Sequence, residues 1–152
     1  MHHLARHWID NVILQSPVAR AIGISLRSAE VDAVTADLPF SDDLTTTPGV
    51  IHGGVIATLI DTLGAAGSAS GVTPEQEATG GATSHLAISY LAPARSDLTA
   101  AATVVHRTRS GTLTDVHGLW RRGHPRRHRP GHQPPLSLST SSIRARNSAQ
   151  AE

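Results

Sequence analysis

One segment constrains this chain more than any other. Residues 51–70, IHGGVIATLIDTLGAAGSAS, run almost without charge, Asp61 being the exception. At the helical repeat of about 3.6 residues, Val55, Ile56, Leu59, Ile60 and Leu63 fall on one face, while Ala57, Asp61, Gly64, Ala65 and Ser68 fall on the other. A surface helix would carry Arg or Glu on its second face. Small uncharged residues there predict a central helix covered on both sides, with something packed closely against its back.

The flanking sequence changes period. Leu4, Trp8, Ile9, Val12, Ile13 and Leu14 are spaced for an amphipathic N-terminal helix within residues 4–21, ending near Ser16-Pro17. Ile22, Ile24 and Leu26, then Val34, Ala36, Leu38 and Phe40, alternate as two strands joined near Ala29-Glu30. The polar stretch Ser41 to Gly49 reads as a loop. Beyond the helix and a Gly/Thr/Glu-rich link, Ser84–Leu91, Leu98–Arg107 and Thr112 to about Val116 read as strands, the last two turning at Ser110-Gly111. Helix, two strands, central helix, then antiparallel strands predicts an α+β domain in which a curved sheet wraps one long helix.

Length leaves room for one such domain and no second. The 152 residues, 39% of them hydrophobic, suffice for a single buried core. The absence of cysteine excludes a disulfide scaffold, a thiol nucleophile and a thiolate metal site. No apolar run approaches the roughly 20 residues of a membrane span, and MHHLARHWIDNVILQ lacks the apolar core of a secretory signal. The expectation is therefore a soluble cytoplasmic protein without a membrane partner.

Asp61 needs an explanation, because a carboxylate in a doubly covered helix is costly unless paired, solvated by a cleft or protonated. It either accepts hydrogen bonds from backbone or an arginine, or serves as general base or nucleophile at a cleft. Gly53 and Gly54 open the same helix, where backbone N–H groups lack partners and the dipole favours negative charge. No Gly-Lys-Ser/Thr follows, so a P-loop is excluded. Beside them, His52 is either a capping and packing residue or an acid–base group. Gly53 and Asp61 lie roughly 12 Å apart along the helix, too far for one carbonyl to meet both within one copy; a neighbouring subunit could supply the second group.

These residues match a family. PGVIHGGVIATLID (Pro48 to Asp61), GATSHLAISYLAPAR (Gly81 to Arg95) and LTAAATVVHRTRSGTLTDV (Leu98 to Val116) together resemble the hotdog-fold acyl-CoA thioesterases of the phenylacetate-degradation (PaaI) type. The resemblance covers about residues 20–116. It implies a homodimer or homotetramer whose central helices face each other, with active sites at the interface and acyl-CoA as substrate. By this resemblance the Gly53 N–H polarises the thioester carbonyl, with Gly54 beside it. Asp61 of the opposite subunit activates water or attacks, Thr83 orients the water, and His52 orients the thioester end. Where the family often has Asn six residues before the His, this chain has Thr46 at the substrate-binding position, which alters the polar support of the site. No metal or organic cofactor is implied. A non-catalytic acyl-CoA-binding or degenerate hotdog protein is the alternative. Arg95, Arg107 and Arg109 are read as solvated surface or as partners of CoA phosphates.

The resemblance stops at Val116. Residues 1–116 carry 6 Arg against 11 Asp and Glu, whereas residues 117–152 carry 7 Arg against a single Glu. The division expected is a hotdog domain over 1–116 and an Arg/His/Pro-rich tail over 117–152, disordered or out of frame. His124, His128 and His132 recur every fourth residue, but Pro125 and Pro130 forbid the helix that would align them on a metal. A basic arm for nucleic acid fits the tail's composition, though the acidic body opposes it. The third reading is a frameshift. All 13 cationic residues are arginine, a mark of G+C-rich coding DNA. Reading the codons of 117–132 one base later then gives third positions that are nearly all G or C. With the degenerate bases suitably chosen, the string becomes TVYGAEATLVATGQAT, which ends like the family's missing last strand. On this reading a base was lost or gained near codon 116 or 117, and the altered C-terminus is expected to cost the chain solubility or activity.

Overall fold

The computed structural model describes residues 1–75, 80–120 and 142–146. Its centre is helix α3, Gly53–Ser70. Ile56, Leu59, Ile60, Leu63, Ala66 and Ser70 on one face are buried. They lie against β2 (Ala33–Leu38), β6 (Leu98–Thr108) and β7 (Gly111–Trp120). These strands alternate strictly: Val34, Ala36, Leu38, Leu98, Ala100, Ala102, Thr114 and Val116 point inward and are at most 1% exposed. Each fully buried Leu or Val adds about 1.5–3 kcal/mol relative to exposure.

Small residues set how closely helix and sheet approach. A Cβ on Gly67 would lie 3.3 Å from Thr114 Cγ2 and 3.5 Å from Ala102 Cβ, so the alanine-rich strand and the glycine meet where a larger pair would force the layers apart.

The sheet is antiparallel throughout the described residues, in the order β1-β2-β6-β7-β8-β5, with β1 at Ser25–Glu30, β5 at Ala82–Thr83 and β8 at Ser142–Arg146. Register runs Val34↔Ala102 and Ala102↔Val116, which stacks the inward positions across three strands. The β1–β2 turn falls at Val31-Asp32, two residues beyond the expected point. Asp32 takes a left-handed φ of 63° there, which Asp tolerates better than most side chains.

Three expectations are corrected. The N-terminal helix is not continuous: α1 spans His3–His7, a π-helical turn follows at Trp8–Ile13, and α2 covers Pro17–Ala21 after Ser16 caps it. Its buried residues Ala5, Ile9 and Leu14 are spaced four and then five apart, and the wider π turn brings all three inward. The expected loop at 41–49 contains a 3₁₀ turn, Asp42–Leu44, and strand β3, Thr45–Thr47, which pairs with β4, Val50–Ile51. The expected strand Ser84–Leu91 forms no continuous ladder among the described residues: the β5 ladder ends at Thr83 and Ser89 makes an isolated bridge. β5 meets β8 at Ala82↔Arg146 and Thr83↔Ala145, and beyond that short ladder alternation still turns Leu86 and Ile88 toward the core.

β7 runs to Trp120, past the Val116 boundary, and β8 pairs with Gly111 to Asp115. His124, His128, His132 and the rest of 121–141 and 147–152 lie outside the described residues.

Candidate active site on the central helix

The start of α3 is built by His52. Its backbone is extended (φ −62°, ψ 134°) and its Nδ1 accepts the Gly54 N–H at 2.8 Å, an N-cap made by an imidazole. The His52 N–H donates to Leu44 O at 2.8 Å, tying the helix start to the 3₁₀ turn. A Cβ at Gly54 would come within 3.0 Å of that Nδ1, so glycine keeps the cap possible. The Gly53 N–H, by contrast, has no acceptor among the described residues, and no acidic side chain occupies the first turn. It remains a donor at the positive end of the helix.

Tyr90 completes this end. Its hydroxyl donates to Gly53 O at 2.9 Å, and its ring lies 3.6 Å from where a Gly53 Cβ would be. Sequence reasoning missed it; the available signal was an aromatic at an outward position of an alternating run.

Two turns on, Asp61 sits half-exposed among Ala57, Ala65 and Ser68. Within one chain this second face of the helix is only partly covered. The Thr83 hydroxyl donates to Asp61 Oδ1 at 2.6 Å, and among the described residues neither a backbone N–H nor an arginine pairs with the carboxylate. Asp61 and Thr83 therefore meet, whereas Gly53 and Asp61 stay at opposite ends of the same exposed face. Thr46 lies in β3 at the irregularity opposite β4, exposed, and makes no hydrogen bond to His52 or Gly53.

Arg107 corrects the surface reading. Its Nη2 and Nε donate to Asp32 Oδ1 at 2.6 and 3.1 Å, and its Nη1 donates to Ser68 O at 2.8 Å. It clamps the C-terminal carbonyls of α3, where a cation also suits the dipole. Arg95 and Arg109 are exposed. A cavity of about 310 Å³ opens between the N-terminal helical turns, the second half of α3 and the β6–β7 hairpin, with Thr83 in its wall. Among the described residues no three His, Asp or Glu side chains gather as a metal site.

A central helix wrapped by an antiparallel sheet, with a glycine-opened N-terminus and a carboxylate two turns on, defines the hotdog class. Residues 48–119, just under half of the chain, match the family model of the thioesterase superfamily. A curated Halobacterium salinarum protein named as an esterase is 40% identical over 87 residues, 55% of this chain; the match spans 57% of that protein's length. Among solved structures, a thioesterase family protein of Silicibacter pomeroyi superposes with a TM-score of 0.74 at 19% identity, covering 94% of this chain and 98% of that one. The E. coli PaaI protein of the phenylacetic acid degradation operon gives 0.72 at 18% identity, covering 95% and 94%. A Streptococcus pneumoniae thioesterase-type protein solved with coenzyme A gives 0.65 at 18% identity, covering 86% and 92%. At such identities the likeness is one of fold.

Proposed function

We propose that this chain is built to hydrolyse acyl-CoA thioesters to free acid and CoA, at a site shared by two copies in a homodimer or homotetramer. The observation that carries the reading is the Thr83–Asp61 pair on a half-exposed, small-residue helix face whose far end presents the free Gly53 N–H. The thioester carbonyl oxygen would accept from Gly53 N–H, a donor at the positive end of the helix that suits developing negative charge. Asp61 of the second copy would take a proton from water as the water oxygen bonds to the carbonyl carbon, Thr83 holding the carboxylate in place. The C–S bond then breaks and the CoA sulfur leaves as thiolate, to be protonated. His52 and Gly54 shape the donor end, and Thr46 stands where the acyl thioester passes the β3 turn. A CoA-bound structural neighbour supports CoA as the carrier.

Among the described residues no helix is long and apolar enough to cross a membrane; with no cysteine in the chain, we place the protein in the cytoplasm. The domain proposed is residues 1–116, and 117–152 are proposed to be encoded out of frame. Resequencing codons 110–152 from independent isolates tests this, and an uninterrupted frame encoding the same tail would overturn it. The alternative of a non-catalytic acyl-CoA binder is favoured by Thr46, which is exposed and makes no hydrogen bond to His52 or Gly53 among the described residues.

An acyl-CoA panel assayed for CoA release and for binding separates the two, using the chain as printed and a version with codons from 117 read one base later. Asp61→Ala and Asp61→Asn should lower turnover by about 100-fold or more, the range of general-base catalysis, with the oligomer intact. Retained turnover in both would sink the assignment.

A further inference from the structure

A chain of contacts at the start of α3 reaches from Tyr90 to the His52 ring through a single peptide group. The Tyr90 hydroxyl donates to Gly53 O at 2.9 Å, and the Gly54 N–H donates to His52 Nδ1 at 2.8 Å. Gly53 C=O and Gly54 N–H are the two ends of one peptide unit. A hydrogen bond taken by its oxygen draws electron density from its nitrogen, so the N–H becomes a stronger donor and the two bonds reinforce each other. Tyr90 thus acts on His52 through the backbone.

The backbone around this chain is tied down on both sides. The His52 N–H donates to Leu44 O at 2.8 Å, and His52 O accepts the Val55 and Ile56 N–H groups at 3.0 and 3.3 Å. The segment that carries Tyr90 is joined to the same place, because the buried Ala94 presents its carbonyl to the Ile51 N–H at 2.9 Å. What remains to be fixed is the orientation of the imidazole, and the Gly54 N–H fixes it.

The chemistry of the ring follows from that bond. A nitrogen that accepts an N–H must present its lone pair, so the proton of the neutral imidazole is on Nε2. With the Nδ1 lone pair engaged and Nε2 protonated, neither nitrogen is left to take a proton from water. His52 is exposed and stands beside the Gly53 N–H at the positive end of the helix, so its remaining polar group is a donor among donors. Cap and base are exclusive roles here, and the geometry shows the cap.

We propose that Tyr90 is a positioning residue for the thioester end of the site: through the Gly53–Gly54 peptide it holds His52 as the Nε2–H tautomer, which donates to the thioester and leaves proton abstraction to Asp61. Its effect on turnover rests on the thioesterase reading, whereas the relay itself is read without any turnover.

The test uses the full chain carrying isotope-labelled histidine and glycine, read by nitrogen NMR at about pH 8.5, where an ordinary imidazole is neutral. Comparison with His52→Asn assigns the His52 signals. The expected spectrum has the ring proton on Nε2 and a scalar coupling between Gly54 N and His52 Nδ1 across their hydrogen bond. Tyr90→Phe keeps the ring beside Gly53 and removes the donor, and with Tyr90 51% exposed the variant should fold. In it the coupling should shrink and the Gly54 amide proton should move upfield. The kcat for CoA release should fall about three- to tenfold, the range of one neutral hydrogen bond, with KM held within about twofold. A ring proton on Nδ1 would overturn the proposal, as would a coupling and a Gly54 shift unchanged in Tyr90→Phe. A weakened coupling with kcat at the parent value refutes the positioning role and leaves the hydrolase. If the parent binds acyl-CoA and never cleaves it, the hydrolase reading falls, and the spectra alone decide whether Tyr90 holds the tautomer.

Discussion

Two buried hydroxyls in contact with the same layer interface should respond with opposite signs to removal. Ser70, at the end of α3, is fully buried; its Oγ accepts the Asp32 N–H at 2.8 Å and donates to Gly67 O at 2.7 Å. It links the helix end to the left-handed β1–β2 turn. Ser70→Ala leaves the Asp32 N–H without an acceptor, whereas Gly67 O keeps a 3.3 Å contact from Arg107 Nη2. One orphaned backbone donor, partly buried, corresponds to about 2 kcal/mol. For a chain of this length that is a fall in Tm of about 4–8 °C. Thr114 is also fully buried, but its Oγ1 has no hydrogen-bond partner among the described residues. Thr114→Val replaces a desolvated hydroxyl by a methyl of similar size, and should be neutral or stabilising by up to about 1 kcal/mol. Urea unfolding at one fixed protein concentration, with a common m-value, measures both. A Ser70→Ala change within about 0.5 kcal/mol of the parent, together with a Thr114→Val loss above about 1 kcal/mol, would refute this hydrogen-bond accounting.

Arg107→Met keeps the apolar stem and loses the contacts to Asp32 and the helix carbonyls. With Asp32 43% exposed and the pair partly screened, a loss of about 2 kcal/mol is expected in thermal unfolding, and a loss under about 0.5 would mean water replaces the clamp. His52→Ala should cost about 1 kcal/mol through the lost N-cap, and His52→Asn should recover most of it. If hydrolysis falls equally in both while stability recovers in Asn, the imidazole acts on the thioester and not only as a cap. The two-copy site predicts a dimer or larger assembly by light scattering across a dilution series. Ala57→Asp, on the half-exposed small-residue face of α3 that the two-copy site would bury, should dissociate it and abolish turnover with the fold retained; an active monomer would contradict the shared site.

The elements best readable from sequence were those whose period the core enforces. Ile56, Leu59 and Leu63 announced the central helix because the sheet buries one stripe of it, and Val34, Ala36 and Leu38 announced a strand because every second residue meets that stripe. The π turn at Trp8–Ile13 was hidden because three apolar positions spaced four and five apart look like a loose α pattern until the partner surface is known. The 84–91 segment shows the converse limit. Leu86 and Ile88 alternate as a strand should, but pairing belongs to the neighbour, and the ladder to β8 stops at Thr83. Side-chain period reports which way residues face; it carries no information on whether a hydrogen-bonding partner lies alongside.

The same division runs through the candidate site. Asp61 stood out because a charge on an uncharged helix demands a reason, and its Thr83 partner followed from family position. Tyr90 and Thr112 did not stand out, because neither residue type is unusual in a strand. They become informative only through hydrogen bonding, a carbonyl partner in one case and, among the described residues, none for the hydroxyl in the other. What no single copy supplies is the meeting of Gly53 and Asp61. The helix that makes both legible also holds them about 12 Å apart, and it leaves the small-residue face between them half-open. An identical helix laid antiparallel across that face by a two-fold axis would bring the Gly53 of one copy toward the Asp61 of the other, twice. The small residues that first looked like cover for a buried helix are then what would let two such helices approach closely enough to share a substrate.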